Sequence, residues 1–213
     1  MSKGWSDEAL ARRVALDLPH GAVVNLGIGM PVGVADHVPE GRLVFFHSEN
    51  GIIGMGPAPQ KGFEDPDIVN AAKQRATLIP GASIVHHADS FSLIRGGRLD
   101  FSILGALQVA PNGDIANWKV PGQKGGGGVG GAMDLAVGAK KVVVMMRHQD
   151  KKGRPKLVEQ CSFSLTAVKT VALVYTELGV FECAGDHFLV RECAPGIGQD
   201  ELRSRTGARL EFG

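Results

Sequence analysis

The sequence is poor in cysteine, in net charge and in long apolar runs, and each shortage excludes a class of protein. Its three cysteines form no CxxC pair, and an odd number cannot all pair internally, which argues against a disulfide-built secreted protein. Twenty-three basic and 22 acidic residues leave a formal net charge of +1, so no basic field favours nucleic acid or a membrane surface. Apolar runs stay short of the roughly 18 residues of a membrane span, and the first residues lack a signal-peptide pattern. We therefore expect a cytoplasmic protein that binds neither nucleic acid nor membranes.

Glycine, in contrast, is abundant, with 30 of 213 residues, about twice the usual share. Apolar runs alternate with glycine-rich connections, which predicts an α/β fold with an open, mostly parallel sheet and flanking helices. Short apolar runs after Lys156 favour an antiparallel β addition near the C-terminus. The length fits one domain, residues 1–213. Ligands of such sheets bind beyond the carboxyl ends of the strands.

Individual elements follow from local patterns. Strands are predicted at 22–26, 43–46, 83–85, 101–107, 142–146 and 171–175, and helices after Ser6, from Pro31, over 67–75, from Met133 and over 200–205. Residues 111–114 combine Pro, Asn, Gly and Asp, which predicts a hairpin turn.

Glu49 is the candidate catalytic residue. It comes directly after the predicted strand 43–46 and shortly before Gly51, Gly54 and Gly56. Because glycine has no Cβ, a ligand can approach the backbone closely there. A carboxylate held at such a place is poorly hydrated and therefore reactive.

Six sequence blocks in fixed order carry a resemblance to known enzymes: 24–31, 46–57, 62–67, 88–91, 94–97 and 130–135. Together they resemble the β subunit, or C-terminal half, of class I coenzyme A transferases, the 3-oxoacid CoA-transferase family. The resemblance spans the chain from Asp7 to Phe212. It implies a CoA-transferase of the EC 2.8.3 class, with coenzyme A as substrate and no permanently bound cofactor.

The resemblance implies covalent catalysis by Glu49. Its carboxylate would attack an acyl-CoA thioester to give an acyl-glutamyl anhydride, and the returning thiolate would leave a glutamyl-CoA thioester. An incoming acid would then reverse these steps, which predicts ping-pong kinetics. The amides of Gly130 and Gly131, before the predicted helix at Met133, are expected to stabilise the oxyanions. For residues 125–128 a mobile loop is the favoured interpretation.

The candidate substrate-binding residues are Asn25, Asn50, Gly51, Lys73, His86 and His87. Asn25 could bond a substrate carboxylate, orient Glu49 or only stabilise its own turn.

Lys73 resembles the family lysine that holds anionic substrate, although an exposed helix lysine is equally consistent with the pattern. The paired histidines resemble the branch that acts on 3-oxoadipate, whose second carboxylate needs a donor such as His86, His87 or Arg95. A structural hydrogen bond at a helix start is the alternative for each of these three.

Other chemistries fit the sequence poorly. Adjacent histidines on a strand would point to opposite faces, so His86 and His87 do not predict a metal site. Ser48 and His47 flank Glu49, but the GxSxG pattern of a serine hydrolase is absent. The glycines at 27 and 29 lack the third glycine of a dinucleotide fingerprint.

The resemblance covers only half of a two-component enzyme. It therefore implies a CoA-transferase α subunit as partner, in a heterodimer or an α2β2 heterotetramer, with the site near the interface. The expected substrates are succinyl-CoA and a 3-oxoacid, first 3-oxoadipate. Succinyl-CoA:acetoacetate exchange, an acyl-CoA hydrolase and a non-catalytic CoA-binding subunit are the alternatives. Val32, Gly33 and Asp36 depart from the family pattern and bear on the acyl pocket.

Overall fold

The computed structural model describes residues 3–122 and 128–213. The helices are α1 (Asp7–Leu16), α2 (His87–Arg95), α3 (Ala132–Gly138) and α4 (Gln199–Arg205), with a 3-10 helix at Met30–His37. The first strands are β1 (Val23–Leu26), β2 (Phe45–Ser48), β3 (Ile52–Met55), β4 (Leu78–Ile84), β5 (Phe101–Leu104), β6 (Gln108–Val109) and β7 (Ile115–Ala116). The remaining strands are β8 (Lys141–Met145), β9 (Val171–Thr176), β10 (Gly179–Cys183), β11 (Phe188–Cys193) and β12 (Leu210–Phe212). No helix within these ranges has the length and apolar character that a membrane crossing requires.

Ten strands form one sheet in the order β12-β11-β10-β9-β8-β5-β1-β2-β3-β4. The five central strands, from β9 to β2, are parallel. Strands β10 and β11 add to one side in antiparallel pairing, which confirms the predicted C-terminal addition. Strands β3 and β4 make a second antiparallel addition on the other side, which the sequence did not predict. The predicted turn at 111–114 joins β6 and β7, which pair as a separate hairpin.

The sheet separates two hydrophobic cores. Val142 and Val144 of β8 face one core, and Val143 and Met145 face the other, because side chains alternate along a strand. Helices α2 and α3 pack on the first core, whereas α1 and the 3-10 helix pack on the second. Helices α2 and α3 therefore share one face of the sheet.

Helix α1 begins where its sequence predicts. The Ser6 Oγ accepts a hydrogen bond from the Ala9 N–H at 3.2 Å, which satisfies one of the free donors of the first turn. Asp7 and Glu8 place negative charge in that turn, where the helix dipole favours it.

The predicted helix at 67–75 is wrong. Two backbone N–H groups, those of Ala72 and Gln74, donate to the Asn70 side-chain oxygen at 2.9 and 3.0 Å. A short polar side chain thereby competes with helical hydrogen bonding. The segment forms a turn instead, with Lys73 at a φ of +62°.

Candidate active site

Glu49 stands at the carboxyl end of β2, in the short connection to β3. Gly51 closes this connection with a φ of +127°, and its N–H donates to the Ser48 carbonyl at 2.9 Å. A side chain on Gly51 would overlap the carbonyl oxygen of Val85. The glycine therefore serves the turn and its packing against the chain after β4. The contact of Gly51 with substrate stays a prediction.

A cavity of about 380 Å³ opens beside Glu49. Its walls come from the carboxyl ends of β1 and β5, from residues 117–118 and from the start of α3, as expected for a site on a parallel sheet. Among the described lining residues, Glu49 is the one that carries a charge. The others are Gly27, Ile28, Leu104, Gly105, Ala106, Leu107, Asn117, Trp118, Gly128, Val129, Gly130, Gly131, Ala132 and Leu135. One carboxylate thus faces walls that are mainly apolar or made of backbone.

Gly131 lies directly against the Glu49 carboxylate. A Cβ on Gly131 would stand 2.7 Å from Glu49 Oε2 and 2.9 Å from Cζ of Phe91. Its φ of −79° is ordinary for any residue, so the neighbouring carboxylate excludes a side chain there and the backbone does not. Gly130 has a φ of +55°. Both predicted oxyanion donors thus line the same cavity as Glu49, and their catalytic role stays a prediction.

The pKa of Glu49 reflects three influences. Burial raises the pKa, because a half-buried carboxylate loses hydration of its charged form. Positive charge on His87, at the start of α2, lowers it, and the Asp134 carboxylate on α3 raises it. The Arg95 guanidinium pairs with Asp134 at 2.7 Å and packs against the ring of Phe91. Arg95 is therefore engaged between the two helices, outside the lining of the cavity.

A chain of buried polar groups lies behind Glu49. The Asn25 amide nitrogen is 3.0 Å from His47 Nδ1, and His47 Nε2 is 2.8 Å from the Ser90 hydroxyl. Ser90 donates to the backbone oxygen of Glu49 at 2.9 Å. Asn25 is only 1% exposed and does not line the cavity. Its hydrogen bonds connect it to the Glu49 backbone through His47 and Ser90, and its predicted roles at the site stay predictions.

The remaining substrate-binding candidates lie around the cavity and do not line it. Asn50 is exposed and donates to the Val69 carbonyl at 2.8 Å, and Lys73 is exposed in its turn. His86 caps α2, with its Nδ1 accepting from the Ala88 N–H at 3.2 Å. His87 is the first residue of α2. The two histidines are thus not on a strand, and the reason given against a metal site was wrong.

A second cavity, which the sequence analysis missed, adjoins the first at Leu107. It has a volume of about 520 Å³, and we call it the basic cavity. Its lining residues are Leu107, Gln108, Val120, Arg147, Gln149, Asp150, Lys151, Arg154, Pro155, Lys156, Ser162 and Phe163. Arg154 pairs with Asp150 at 2.6 Å, and burial lowers the pKa of Lys156 to about 8. The signal was present as a cluster of basic residues between 147 and 156, hidden by the balanced charge of the whole chain.

Two further sequence predictions concern the absence of a metal site and a mobile loop at residues 125–128. Within residues 3–122 and 128–213, no cluster of three histidine, cysteine or acidic side chains has the geometry to hold a metal ion. Residues 125–127 of the predicted mobile loop lie outside the described residues, and Gly128 lines the cavity of Glu49.

Comparison with known proteins places the chain among enzymes. The family model described as "Coenzyme A transferase" matches residues 7–204. One relative, which forms part of the 3-oxoadipate CoA-transferase of Pseudomonas putida and is named as one of its subunits, is 48% identical over 210 residues. The match covers 99% of this chain and 98% of that protein. Another, named as one subunit of the succinyl-CoA:3-ketoacid coenzyme A transferase of Helicobacter pylori, is 45% identical over 204 residues, covering 96% and 98% of the two chains.

A solved structure extends the likeness in fold. The acyl-CoA transferase YdiF of Escherichia coli O157:H7, in its apoenzyme form, matches with a TM-score of 0.74 at 19% identity. The match covers 98% of this chain and 42% of YdiF. The ten-stranded sheet therefore has a counterpart within a longer protein.

Proposed function

Because this chain belongs to the coenzyme A transferase family, we propose that it is the β subunit of an enzyme that moves coenzyme A from succinyl-CoA to a 3-oxoacid. The proposal is carried by the placement of Glu49, half-buried at a strand end and in contact with the glycine backbone before α3. The names of the two relatives, each one subunit of such an enzyme, support this activity and a partner α subunit. We propose 3-oxoadipate as the acceptor, with acetoacetate as the alternative.

In this mechanism Glu49 is the nucleophile. Its carboxylate attacks the thioester carbon of succinyl-CoA, and the C–S bond breaks to leave an acyl-glutamyl anhydride and CoA thiolate. The thiolate attacks the Glu49 carbonyl carbon and releases succinate, so that the enzyme carries a glutamyl-CoA thioester. The acceptor carboxylate then repeats both steps in reverse. The thioester bond to the CoA sulfur is thus passed from one acid to the other without net oxidation or net proton transfer.

Backbone amides of Gly130 and Gly131 would stabilise the oxyanion of each addition. The loss of one such preorganised donor typically costs about 3 kcal/mol of transition-state stabilisation. The apolar side chains of Ile28, Leu104 and Leu135 line the same cavity. Apolar walls would favour transfer to an acid over hydrolysis if the assembled enzyme encloses them and excludes water from the activated acyl group.

The basic cavity fits the phosphate-bearing end of coenzyme A. It shares the lining residue Leu107 with the cavity of Glu49, so the two cavities are neighbours, as an elongated ligand that spans both would require. Phe163 and Val120 offer apolar contact, and Lys156 and Lys151 offer positive charge. A long molecule with a reactive thiol at one end and phosphates at the other matches this order of surfaces.

Trapping of the intermediate tests the proposed function. The complex with its α subunit is incubated with succinyl-CoA, reduced with borohydride and digested, and the modified peptide is identified by mass. We expect modification of Glu49, its loss in Glu49→Gln, and full labelling in Glu159→Gln, a control at an exposed glutamate. A label on another residue would overturn the mechanism.

Two kinetic measurements separate the alternatives. Without an acceptor acid, a transferase stops at one glutamyl-CoA per site, whereas a hydrolase continues to release free thiol. Steady-state kcat/KM values for 3-oxoadipate and acetoacetate then decide the acceptor. We expect the larger value for 3-oxoadipate.

A further inference from the structure

His47 is the central member of the buried polar chain behind Glu49. Asn25, His47 and Ser90 are 1%, 1% and 0% exposed, so water does not compete for their hydrogen bonds. The chain joins three elements, since Asn25 is on β1, His47 on β2 and Ser90 on α2. It ends on the backbone oxygen of Glu49, 2.9 Å from the Ser90 hydroxyl.

The direction of every hydrogen bond in this chain is determined. The Asn25 side-chain nitrogen also donates to the backbone oxygen of His47 at 3.2 Å, and only the NH2 group of an amide can make that bond. The same nitrogen therefore donates to His47 Nδ1, which leaves the proton of the neutral ring on Nε2. His47 Nε2–H then donates to Ser90, whose own hydrogen points to Glu49.

Two observations favour a neutral ring in this place. A protonated Nδ1 would face the donor nitrogen of Asn25 and lose its acceptor role. The pKa of His47 is lowered to about 4 by burial, so the ring stays neutral around pH 7.

We propose that His47 is a positioning residue, which acts through Ser90 to hold the backbone of Glu49 so that the carboxylate stays aligned with the Gly131 backbone. This inference rests on the proposed role of Glu49 as nucleophile. The carboxylate lies directly against Gly131, because a single carbon added there would already overlap Oε2, and the cavity on its other side leaves room for it to move away. Misplacement of a reacting group by about 1 Å can reduce a rate about a hundredfold.

Two substitutions at His47 separate positioning from bulk. His47→Gln keeps one acceptor and one N–H donor, whereas His47→Leu fills a similar space with neither. In the complex with the α subunit, we expect His47→Leu to slow single-turnover formation of glutamyl-CoA at least about tenfold, with KM for succinyl-CoA changed less than about threefold. We expect His47→Gln to restore most of the rate.

Ser90→Ala provides a second variant, because it removes one hydroxyl and changes the packing least. It should slow the same step as His47→Leu. The double variant His47→Leu/Ser90→Ala should be no slower than the slower single variant, because both substitutions interrupt the same chain of hydrogen bonds. His148→Leu is the matched control. His148 is also fully buried and bonded to two hydroxyls, those of Thr176 and Thr206 at 3.1 and 2.9 Å, but it lies in the connection after β8 and does not belong to this polar chain.

The outcomes are distinct. The positioning role would be overturned by equal rates for His47→Gln and His47→Leu, or by additive losses in the double variant. It would also be overturned if His148→Leu lost as much rate as His47→Leu at a similar loss of stability, because general destabilisation would then explain both. If borohydride trapping labels Glu49 while the His47 and Ser90 variants react at the wild-type rate, only this inference fails. If trapping never labels Glu49, the proposed function itself fails.

Discussion

At the scale of single residues, Glu49 receives opposite electrostatic influences from two helices. Positive charge on His87 lowers its pKa, while the Asp134 carboxylate and burial raise it. Arg95 holds Asp134 in an ion pair, so the negative charge beside Glu49 is partly compensated. A nucleophile must be deprotonated to attack, so burial first, and then the charges on these two helices, should influence the acidic limit of activity.

We predict that substitutions at these two charges move this limit in opposite directions. His87→Ala removes a charge that lowers the pKa of Glu49. As the pH decreases, the rate should therefore begin to fall at a higher pH than in the wild type. Asp134→Asn removes a charge that raises the pKa, so the rate should persist to lower pH. The measurement is the pH profile of single-turnover glutamyl-CoA formation. A shift of both pH profiles in the same direction would contradict the opposite effects of His87 and Asp134 on the pKa of Glu49.

Gly131 offers a steric test of the same site. We predict that Gly131→Ala slows glutamyl-CoA formation about a hundredfold, because its Cβ would overlap Glu49 Oε2 and displace the carboxylate. Gly198→Ala is the control, since a Cβ there meets open space and its φ of −88° suits alanine. Stopped-flow trapping and thermal unfolding of both variants check the expectation. Equal rates in the two variants would show that Glu49 is not confined by Gly131.

The sequence indicated Glu49 and its glycine neighbours, but it did not show how His47 is used. Asn25 and His47 are register partners across β1 and β2, and Ser90 approaches from a helix 43 positions further along the chain. Contacts of this kind depend on strand register, which local sequence patterns do not reveal. The packing of Gly51 against Val85 could not be predicted for the same reason, since Val85 is distant in sequence.

At the scale of elements, the central strands were predictable because both of their faces are buried. Runs such as 142–146 and 171–175 are apolar throughout and lack competing signals. Strand β4 was found only at its end, because this edge strand is largely exposed and contains Pro80 and Gly81. The turn at 67–75 was mistaken for a helix because its backbone conformation is determined by hydrogen bonds to the Asn70 side chain and not by the spacing of its apolar residues.

The segment from β8 to the loop before β9 carries the basic cavity, and it allows a prediction on pH. Only the ammonium form of Lys156 could pair with the phosphates of CoA as proposed, and burial lowers its pKa to about 8. Affinity for CoA should therefore be greatest below that pKa and should weaken as pH rises through it. Titration calorimetry of the complex at several pH values measures this dependence.

Substitution of the lysine sharpens that prediction. Lys156→Met should weaken CoA binding and remove its dependence on pH near 8, yet leave the affinity for pantetheine, which lacks phosphate, unchanged. Lys152→Met is the control, because Lys152 is exposed on the same segment and lies outside the cavity lining. If both variants bind CoA like the wild type, the basic cavity does not hold the phosphates.

At the scale of the whole molecule, apolar side chains remain exposed beside the cavity of Glu49. Ile28 on its rim is 66% exposed, and Met133 and Val137 of α3 are 50% and 71% exposed. Exposed apolar surface of this kind next to a functional site is typical of a subunit interface. We propose that the α subunit covers it and completes the enclosure of Glu49.

A charge introduced on that surface should weaken subunit association without impairing the folding of the chain. We predict that Val137→Glu weakens association with the α subunit at least about tenfold and lowers transferase activity accordingly, because a carboxylate would be buried without a partner. Leu16→Glu is the control, since Leu16 is 51% exposed on α1, across the sheet from α3. Analytical ultracentrifugation of the mixed subunits measures association and stoichiometry, and thermal unfolding of each isolated chain should show no large loss. Equal association of both variants would place the α subunit on another surface, and transfer by the isolated chain at full rate would remove the need for it.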